Sequence, residues 1–462
     1  MTAVVAPTAP YRSVNPATGE LLAEFPATTG TEVESAVAAA ATAYRTWSSM
    51  PIEARADLVG RVADLFEERA DELARTVTLE VGKPLAESRD EVQFTVDILR
   101  YYAAEGPALA AESELSFSGG RATLQRLPIG PLLGVMPWNY PYYQVARFIA
   151  PNLVLGNTVL LKHAESCPRS ALAIEQVLTD AGLPAGVYAN LFATHEQVGA
   201  IIADPRVQGV SFTGSERAGT VIGALAGQNL KKAVLELGGS DPYIVLDASD
   251  VAEAADAAWD RRMENVGQAC NSNKRMIVGT AIAEEFVARL VERAEGLVPG
   301  DPMLGRPGAY APMASRAAAE ALAAQVADAV EQGACLHVGG TVGPGAYFAP
   351  AVLTGVTPGM RAYHEELFGP VAVVYTVHSD DEAVALANDS AYGLGGAVFS
   401  VDPDRAARVA ARLDVGMASV NAPAAESADL PFGGVKRSGF GRELGPLGMD
   451  EFVNKRLYYR AP

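Results

Sequence analysis

Cysteine is scarce in this chain of 462 residues: there are three, widely and irregularly spaced. That spacing excludes a disulfide framework. With five histidines, no Cys-x-x-Cys and no His-Glu-x-x-His, the sequence offers no metal site. Basic runs are also missing. Lys and Arg number 36 against 55 Asp and Glu, a net charge of −19, and they are scattered. A nucleic-acid partner is therefore not expected, because binding DNA or RNA needs a concentrated basic face. There is no long apolar run. The most apolar stretch, Tyr140 to Leu161, is interrupted by Arg147, Pro151, Asn152, Gly156 and Asn157, too often for a membrane span. Met1 to Pro10 has neither a basic n-region nor an apolar h-region, so no secretion signal is read. These absences together point to a reducing, cytoplasmic setting. What is present is a globular composition, 49% apolar and 20% charged, with enough apolar mass for large cores. The length suits two or three domains, or one large domain with an appendage.

Residues 31–48, 51–76 and 86–112 carry apolar residues at helical spacing, with Thr31 and Pro51 as helix starts. From Pro131 the texture changes to strand-length apolar runs alternating with helical stretches. The strands expected are Leu132–Met136, Thr158–Leu161, Val187–Leu191, Gly209–Phe212, Ala233–Glu236 and Tyr243–Leu246. The helices between them are Tyr142–Leu155, Arg169–Ala181, His195–Ala203 and Glu216–Ala226. Such alternation implies a parallel sheet covered by helices. After Ser249 a second series begins. Its helices are Val251–Asn265, Ala283–Leu297 and Ser315–Gln332; its strands are Met276–Val278, Val371–Thr376, Ala397–Phe399 and Met417–Val420. Leu115–Pro128 instead reads as a hairpin about Ser118-Gly119-Gly120, and the tail Phe452–Arg460 is strand-like. Hairpin and tail together could make a subunit-contact sheet, since such an edge is normally covered; a plain surface flap is the other reading.

Cys270 lies in Gly267-Gln268-Ala269-Cys270-Asn271-Ser272-Asn273-Lys274-Arg275. A free cysteine is more often a small core residue than a nucleophile. Here, however, four strand ends carry candidate chemistry. Phe212-Thr213-Gly214-Ser215 follows a strand and opens a helix, where free N–H groups, a positive dipole end and the Ser215 hydroxyl suit a diphosphate. Ser215 as an ordinary helix cap is the alternative. Lys162 and Glu165 follow another strand; the carboxylate suits the hydroxyls of a ribose, and a solvated loop pair is the alternative. In Pro137-Trp138-Asn139-Tyr140-Pro141 the prolines restrict Asn139, a candidate oxyanion donor or a helix cap. Glu236 ends a strand before Gly238-Gly239; shielded from water, it would have a raised pKa and act as general base. Cys167 and Cys335 read as core residues.

Five ordered blocks, Pro137-Trp138-Asn139, Lys162-x-x-Glu165, Phe212-Thr213-Gly214-Ser215, Glu236-Leu237-Gly238-Gly239 and Gly267-Gln268-Ala269-Cys270, are joined by three more. These are Glu365-Glu366-Leu367-Phe368-Gly369-Pro370, Pro431-Phe432-Gly433-Gly434 and Gly441-Arg442-Glu443-Leu444-Gly445. Along nearly its whole length the chain thereby resembles the NAD(P)-dependent aldehyde dehydrogenases. The resemblance implies an α/β fold of two open parallel, Rossmann-like units with a small β hairpin and tail for oligomerisation. It implies a cofactor domain over 1–114 and 129–235, a catalytic domain over 236–425, and an oligomerisation element over 115–128 and 446–462. It implies Cys270 as nucleophile, Asn139 with the Cys270 N–H as oxyanion donors, and Glu236 as the base that hydrolyses a thioester. Lys162 and Glu165 would meet the adenosine ribose, and Ser215 and Gly214 the diphosphate. Glu366 and Phe368 would position the nicotinamide ribose and ring, and Trp138 and Leu237 would be further cofactor contacts. A small aldehyde is the implied substrate, and a homodimer or homotetramer the implied assembly.

Asn139-Tyr140-Pro141-Tyr142-Tyr143-Gln144-Val145-Ala146-Arg147, Lys162-His163-Ala164, Cys270-Asn271-Ser272-Asn273-Lys274-Arg275 and the run Leu430 to Gly439 are similar to the shorter bacterial succinate-semialdehyde dehydrogenases. That similarity implies a cation for the substrate carboxylate. Arg147, about two turns along the helix opened by Asn139, is the candidate, with Tyr143 and Phe432 as apolar walls; a buried ion pair is the alternative for Arg147. Glu165 stands where NADP-using relatives tend to have a small residue, and its charge would repel a 2′-phosphate. NAD is therefore expected over NADP. Other readings are an aldehyde dehydrogenase for an apolar or amino aldehyde, and a non-catalytic binding protein on the same fold.

Overall fold

The structure is a computed structural model and describes residues 10–461. The first nine residues, where no secretion signal was read, lie outside the described residues, as does Pro462 at the end of the tail.

Two open sheets organise the chain. The first has the strand order Gly439–Phe440, Lys232–Glu236, Gly209–Thr213, Pro131–Met136, Thr158–His163 and Tyr188–Asn190, parallel throughout except at Gly439–Phe440. Its central strands are apolar without interruption because helices cover both faces. Alternate side chains point to opposite sides. Thus Leu132, Val159 and Leu161 join one core, while Leu133, Leu160, Val210 and Leu235 join another.

The second sheet runs Cys335–Val338, Ala351–Thr354, Val371–Val377, Arg275–Gly279, Pro242–Val245, Gly395–Phe399 and Met417–Val420. Ile244, Ile277 and Val373 face one core; Tyr243, Met276 and Val374 face the other. Its first two strands, an antiparallel pair at the edge, have no counterpart in the sequence reading. Cys335 lies on that edge and is exposed, so it is not the core residue expected; Cys167 is buried.

The apolar pattern over 51–76 belongs to two helices, Ile52–Glu68 and Ala70–Val81, because Arg69 leaves helical geometry at φ −100° and ψ 15°. The first helix begins at Gly30 rather than Thr31. Its cap is Thr29, which exchanges hydrogen bonds with Glu32 in a capping box. The hairpin strands Ser113–Leu115 and Arg121–Pro128 meet the tail strand Val453–Arg460 in a separate antiparallel sheet. Phe117, Leu457, Tyr458 and Tyr459 stand exposed on it. No helix among the described residues is long and apolar enough to cross a membrane.

Candidate active site

In the first sheet Pro131–Met136 sits between Thr158–His163 and Gly209–Thr213. Successive crossovers leave it in opposite directions. That is a switch point, where the carboxyl ends of strands open a crevice for a ligand. Trp138 and Asn139 follow the central strand; Lys162 and Glu165 end or follow one neighbour; Gly214, Ser215 and Leu237 follow the strands on the other side. Ser215 is exposed and caps the helix Glu216–Gln228 through the N–H of Ala218. The Lys162 ammonium is buried and 2.7 Å from a Glu165 Oε1 that is partly open to solvent. Burial works against the Glu165 charge, but Lys162 outweighs it and holds the carboxyl below its usual range. An exposed helix N-terminus beside a fixed ammonium–carboxylate pair fits the diphosphate and ribose of a nicotinamide dinucleotide.

Cys270 is reached through an unusual piece of backbone. The helix Val251–Met263 stops two residues before the expected Asn265, and Asn265, Val266 and Gly267 are all left-handed, at φ 47°, 55° and 73°. For a β-branched valine this conformation is costly, about 1–3 kcal/mol. The surroundings over-determine it. Glu87 accepts the Asn265 N–H at 2.6 Å, the Asn265 amide donates to the Asn139 carbonyl at 2.9 Å, and the Gln268 amide donates back to the Asn265 carbonyl at 3.0 Å. One N–H of the Asn139 side chain goes to the Gln268 carbonyl at 3.0 Å; a primary amide keeps a second donor. Lys274 donates to the carbonyls of Ala269 and Cys270 and lies 2.9 Å from Glu366. Glu366 also accepts the Gly239 N–H. Gly238 and Gly239 permit this crowding: a Cβ would lie 2.3 Å from Glu366 at the first and 2.6 Å from the Cys270 carbonyl at the second. Phe368 meets Trp138 edge to face at 5.7 Å.

Glu236 is buried, and neither carboxyl oxygen has a hydrogen-bond partner. Burial pushes its pKa well above the carboxylate range; Arg147 opposes the shift and Glu443 adds to it. For Arg147 the structure shows the second of the two readings left open by the sequence, a buried ion pair. Its side chain is fully buried and ion-paired with Glu443, with further bonds to the Tyr143 hydroxyl at 3.1 Å and the Thr213 hydroxyl at 3.2 Å. The guanidinium lies over the Phe432 ring at 4.6 Å. It is absent from the residues lining the cavity beside Cys270. The fork expected for a substrate carboxylate is committed to Glu443 instead. Burial disfavours the Arg147 charge, yet Glu443, Tyr143 and Glu236 hold it protonated. Glu443 gave one signal in the sequence, its place in the Gly441 to Gly445 block; nothing there marked it as the partner of Arg147.

A cavity of about 360 Å³ opens at Cys270, and Tyr143 and Phe432 are among the residues that line it. Phe94, Tyr140, Arg261 and five carboxylates, Glu87, Asp90, Glu91, Glu264 and Glu426, also line it, and none of these was singled out from sequence. Burial pushes the Cys270 thiol up to about 11, with Arg147 and Lys274 pulling the other way. Below that value the thiolate fraction rises about tenfold per pH unit. Alkylation of Cys270 by iodoacetamide in the free enzyme should therefore accelerate about tenfold per unit from pH ~7 to ~10. Peptide mapping must separate it from the exposed Cys335. A flat profile would show the thiolate already formed.

A parallel sheet with a crevice at its switch point, a thiol on the wall of a cavity and a shielded carboxyl at the end of a strand suit a cofactor-dependent oxidoreductase. Comparison with known proteins narrows this. The sequence pattern of the aldehyde dehydrogenase family matches residues 5–457. The succinate-semialdehyde dehydrogenase (NADP+) of Deinococcus radiodurans is 54% identical over 459 residues, covering 99% of this chain and 96% of that protein. Succinate semialdehyde dehydrogenase (NAD(P)+) of Escherichia coli is 41% identical over 450 residues, 97% of each chain. Among solved structures, succinic semialdehyde dehydrogenase from Streptococcus pyogenes with NADP+ superposes with a TM-score of 0.95 at 38% identity, covering 98% of this chain and all of that one (100%). Betaine aldehyde dehydrogenase from Staphylococcus aureus with NAD+ gives 0.93 at 31% identity, covering 97% and 90%. The chain belongs to the aldehyde dehydrogenase family. It is an NAD(P)-dependent enzyme that oxidises an aldehyde to a carboxylate.

Proposed function

We propose that the enzyme oxidises succinate semialdehyde to succinate and prefers NAD to NADP. The observation that carries the substrate is the 54% identity, over 99% of the chain, to a protein named for that reaction. Cys270 attacks the aldehyde carbon as a thiolate. The spare N–H of the Asn139 amide and the Cys270 backbone N–H hold the oxyanion. Lys162 and Glu165 bind the adenosine ribose, Ser215 and Gly214 the diphosphate, and Trp138, Leu237, Glu366 and Phe368 the nicotinamide half. The bound cofactor supplies the hydride acceptor, which leaves an acyl thioester on Cys270. Glu236 then takes a proton from water, which adds to the thioester and releases succinate and the free thiol. The sheet of hairpin and tail, with its exposed Tyr458 and Tyr459, serves as a contact surface between copies in a homodimer or homotetramer. A reducing cytoplasm suits a free thiol of this kind.

NAD preference rests on Glu165. An ionised carboxylate at the ribose accepts hydroxyls and repels a 2′-phosphate. Glu165→Ser should shift the ratio of kcat/KM for NAD over NADP toward NADP by about 10- to 100-fold, with Lys162 then free for the phosphate. Steady-state kinetics with both cofactors on succinate semialdehyde, butanal and 4-aminobutanal test the function. A wild-type preference for NADP would sink the cofactor reading, and one for butanal or 4-aminobutanal the substrate reading.

A further inference from the structure

The helix Val251–Met263 ends on two adjacent arginines that do opposite things. Arg262 is fully buried and gives its N–H groups to the carbonyls of Gly267, Leu367, Gly369 and Val371 and to the Ser272 hydroxyl. Nothing is left over for a ligand. Arg261 points the other way and lines the cavity that opens at Cys270. Its guanidinium donates to the carbonyl of Asn271, the neighbour of Cys270, at 3.3 Å. It is ion-paired with Glu264 and with Glu426 at 2.7 Å, and its Nε is buried without a partner. The side chain is 8% exposed, whereas the two carboxylates are 45% and 43% exposed. Among the lining residues it is the one cation facing five carboxylates. Of these, Glu91 is bonded to Lys83, and Glu87 is pushed up to about 7, chiefly by burial.

We propose that Arg261 determines specificity by binding the far carboxylate of a short semialdehyde, in the place that Glu426 holds in the free enzyme. This rests on the dicarboxylate reading above. A buried guanidinium must keep an anion beside it, because losing the last one leaves a desolvated charge unpaired. Exchanging Glu426 for a substrate carboxylate keeps the guanidinium paired, and Glu426, already 43% exposed, is readily taken up by water. Glu426 also accepts the Asn271 amide at 2.7 Å, so it bridges the cation and the residue next to the nucleophile. Cys270 and Arg261 line one cavity, and the guanidinium touches the residue next to the nucleophile, so a short chain held at the thiol points its far end into the space that Arg261 borders. Glu264 remains in place and holds the fork.

The test is the ratio of kcat/KM for succinate semialdehyde over butanal, a neutral aldehyde of equal length, in the full-length enzyme. Arg261→Met should lower that ratio by about 10- to 100-fold, with the loss in KM. Arg261→Lys should recover part of it. Glu426→Gln, which removes the competitor without touching the cation, should raise the ratio severalfold and serves if Arg261→Met folds poorly. The proposal is overturned if the ratio stays within about twofold in Arg261→Met, or falls in Glu426→Gln. A wild-type ratio near or below one would instead overturn the substrate reading, and a preference for 4-aminobutanal would show that the carboxylates set the specificity.

Discussion

Glu236→Gln should turn over aldehyde about 10²- to 10⁴-fold more slowly, yet still release about one NADH per active site in the first turnover. The argument turns on where the carboxyl sits. Its oxygens are buried and without partners, so it contributes no fold-holding hydrogen bond that glutamine would break. Acylation needs the thiol, the oxyanion donors and the cofactor. Hydrolysis alone needs a base for water. With glutamine in place, the acyl thioester should accumulate on Cys270, visible as an acyl mass adduct on the peptide carrying it. Stopped-flow absorbance of NADH separates the burst from the steady rate. Loss of the burst together with turnover would give Glu236 a part in the first half-reaction, and unchanged turnover would remove it from the chemistry.

The second large effect is on stability. Arg147→Met leaves the Glu443 carboxylate buried beside Ser211 with its cation gone. Removing one partner of a buried pair costs about 3–5 kcal/mol. Replacing both by apolar groups removes the orphan, so Arg147→Met with Glu443→Leu should be more stable than Arg147→Met alone. Urea denaturation of the wild type, both single variants and the double variant gives the coupling. Activity should not return in the double variant, because Arg147 also lowers the proton affinity of Cys270 and Glu236. Additive single effects would deny the pair. A variant of wild-type stability whose only defect was a higher KM for succinate semialdehyde would return Arg147 to the substrate.

Much of this architecture was legible because it is local. Strands such as Pro131–Met136 and Met417–Val420 are continuous or alternating apolar runs between turn residues, and the blocks at their ends are short enough to read. What escaped was of two kinds. Breaks hide where periodicity continues through them: Arg69 separates two helices whose apolar stripes run on, and the left-handed run Asn265 to Gly267 follows a helix whose pattern extends past its last turn. The partners of charged groups hide because folding chooses them. Arg147 reads as a lone cation in an apolar helix, and only the bridge between Phe432 and Glu443 sets a carboxylate against it. Arg261 and Arg262 look alike in sequence; the helix turn sends one to the interior and the other to the cavity.

The strand that carries Glu236 is edged by Gly439–Phe440, and Glu443 follows three residues later. The surroundings of the base are thus closed by residues far along the chain from the strand they cover. Bringing such distant residues together costs loop entropy before any contact repays it, so the shielding of Glu236 is expected to form late in refolding, after the parallel strands beside it.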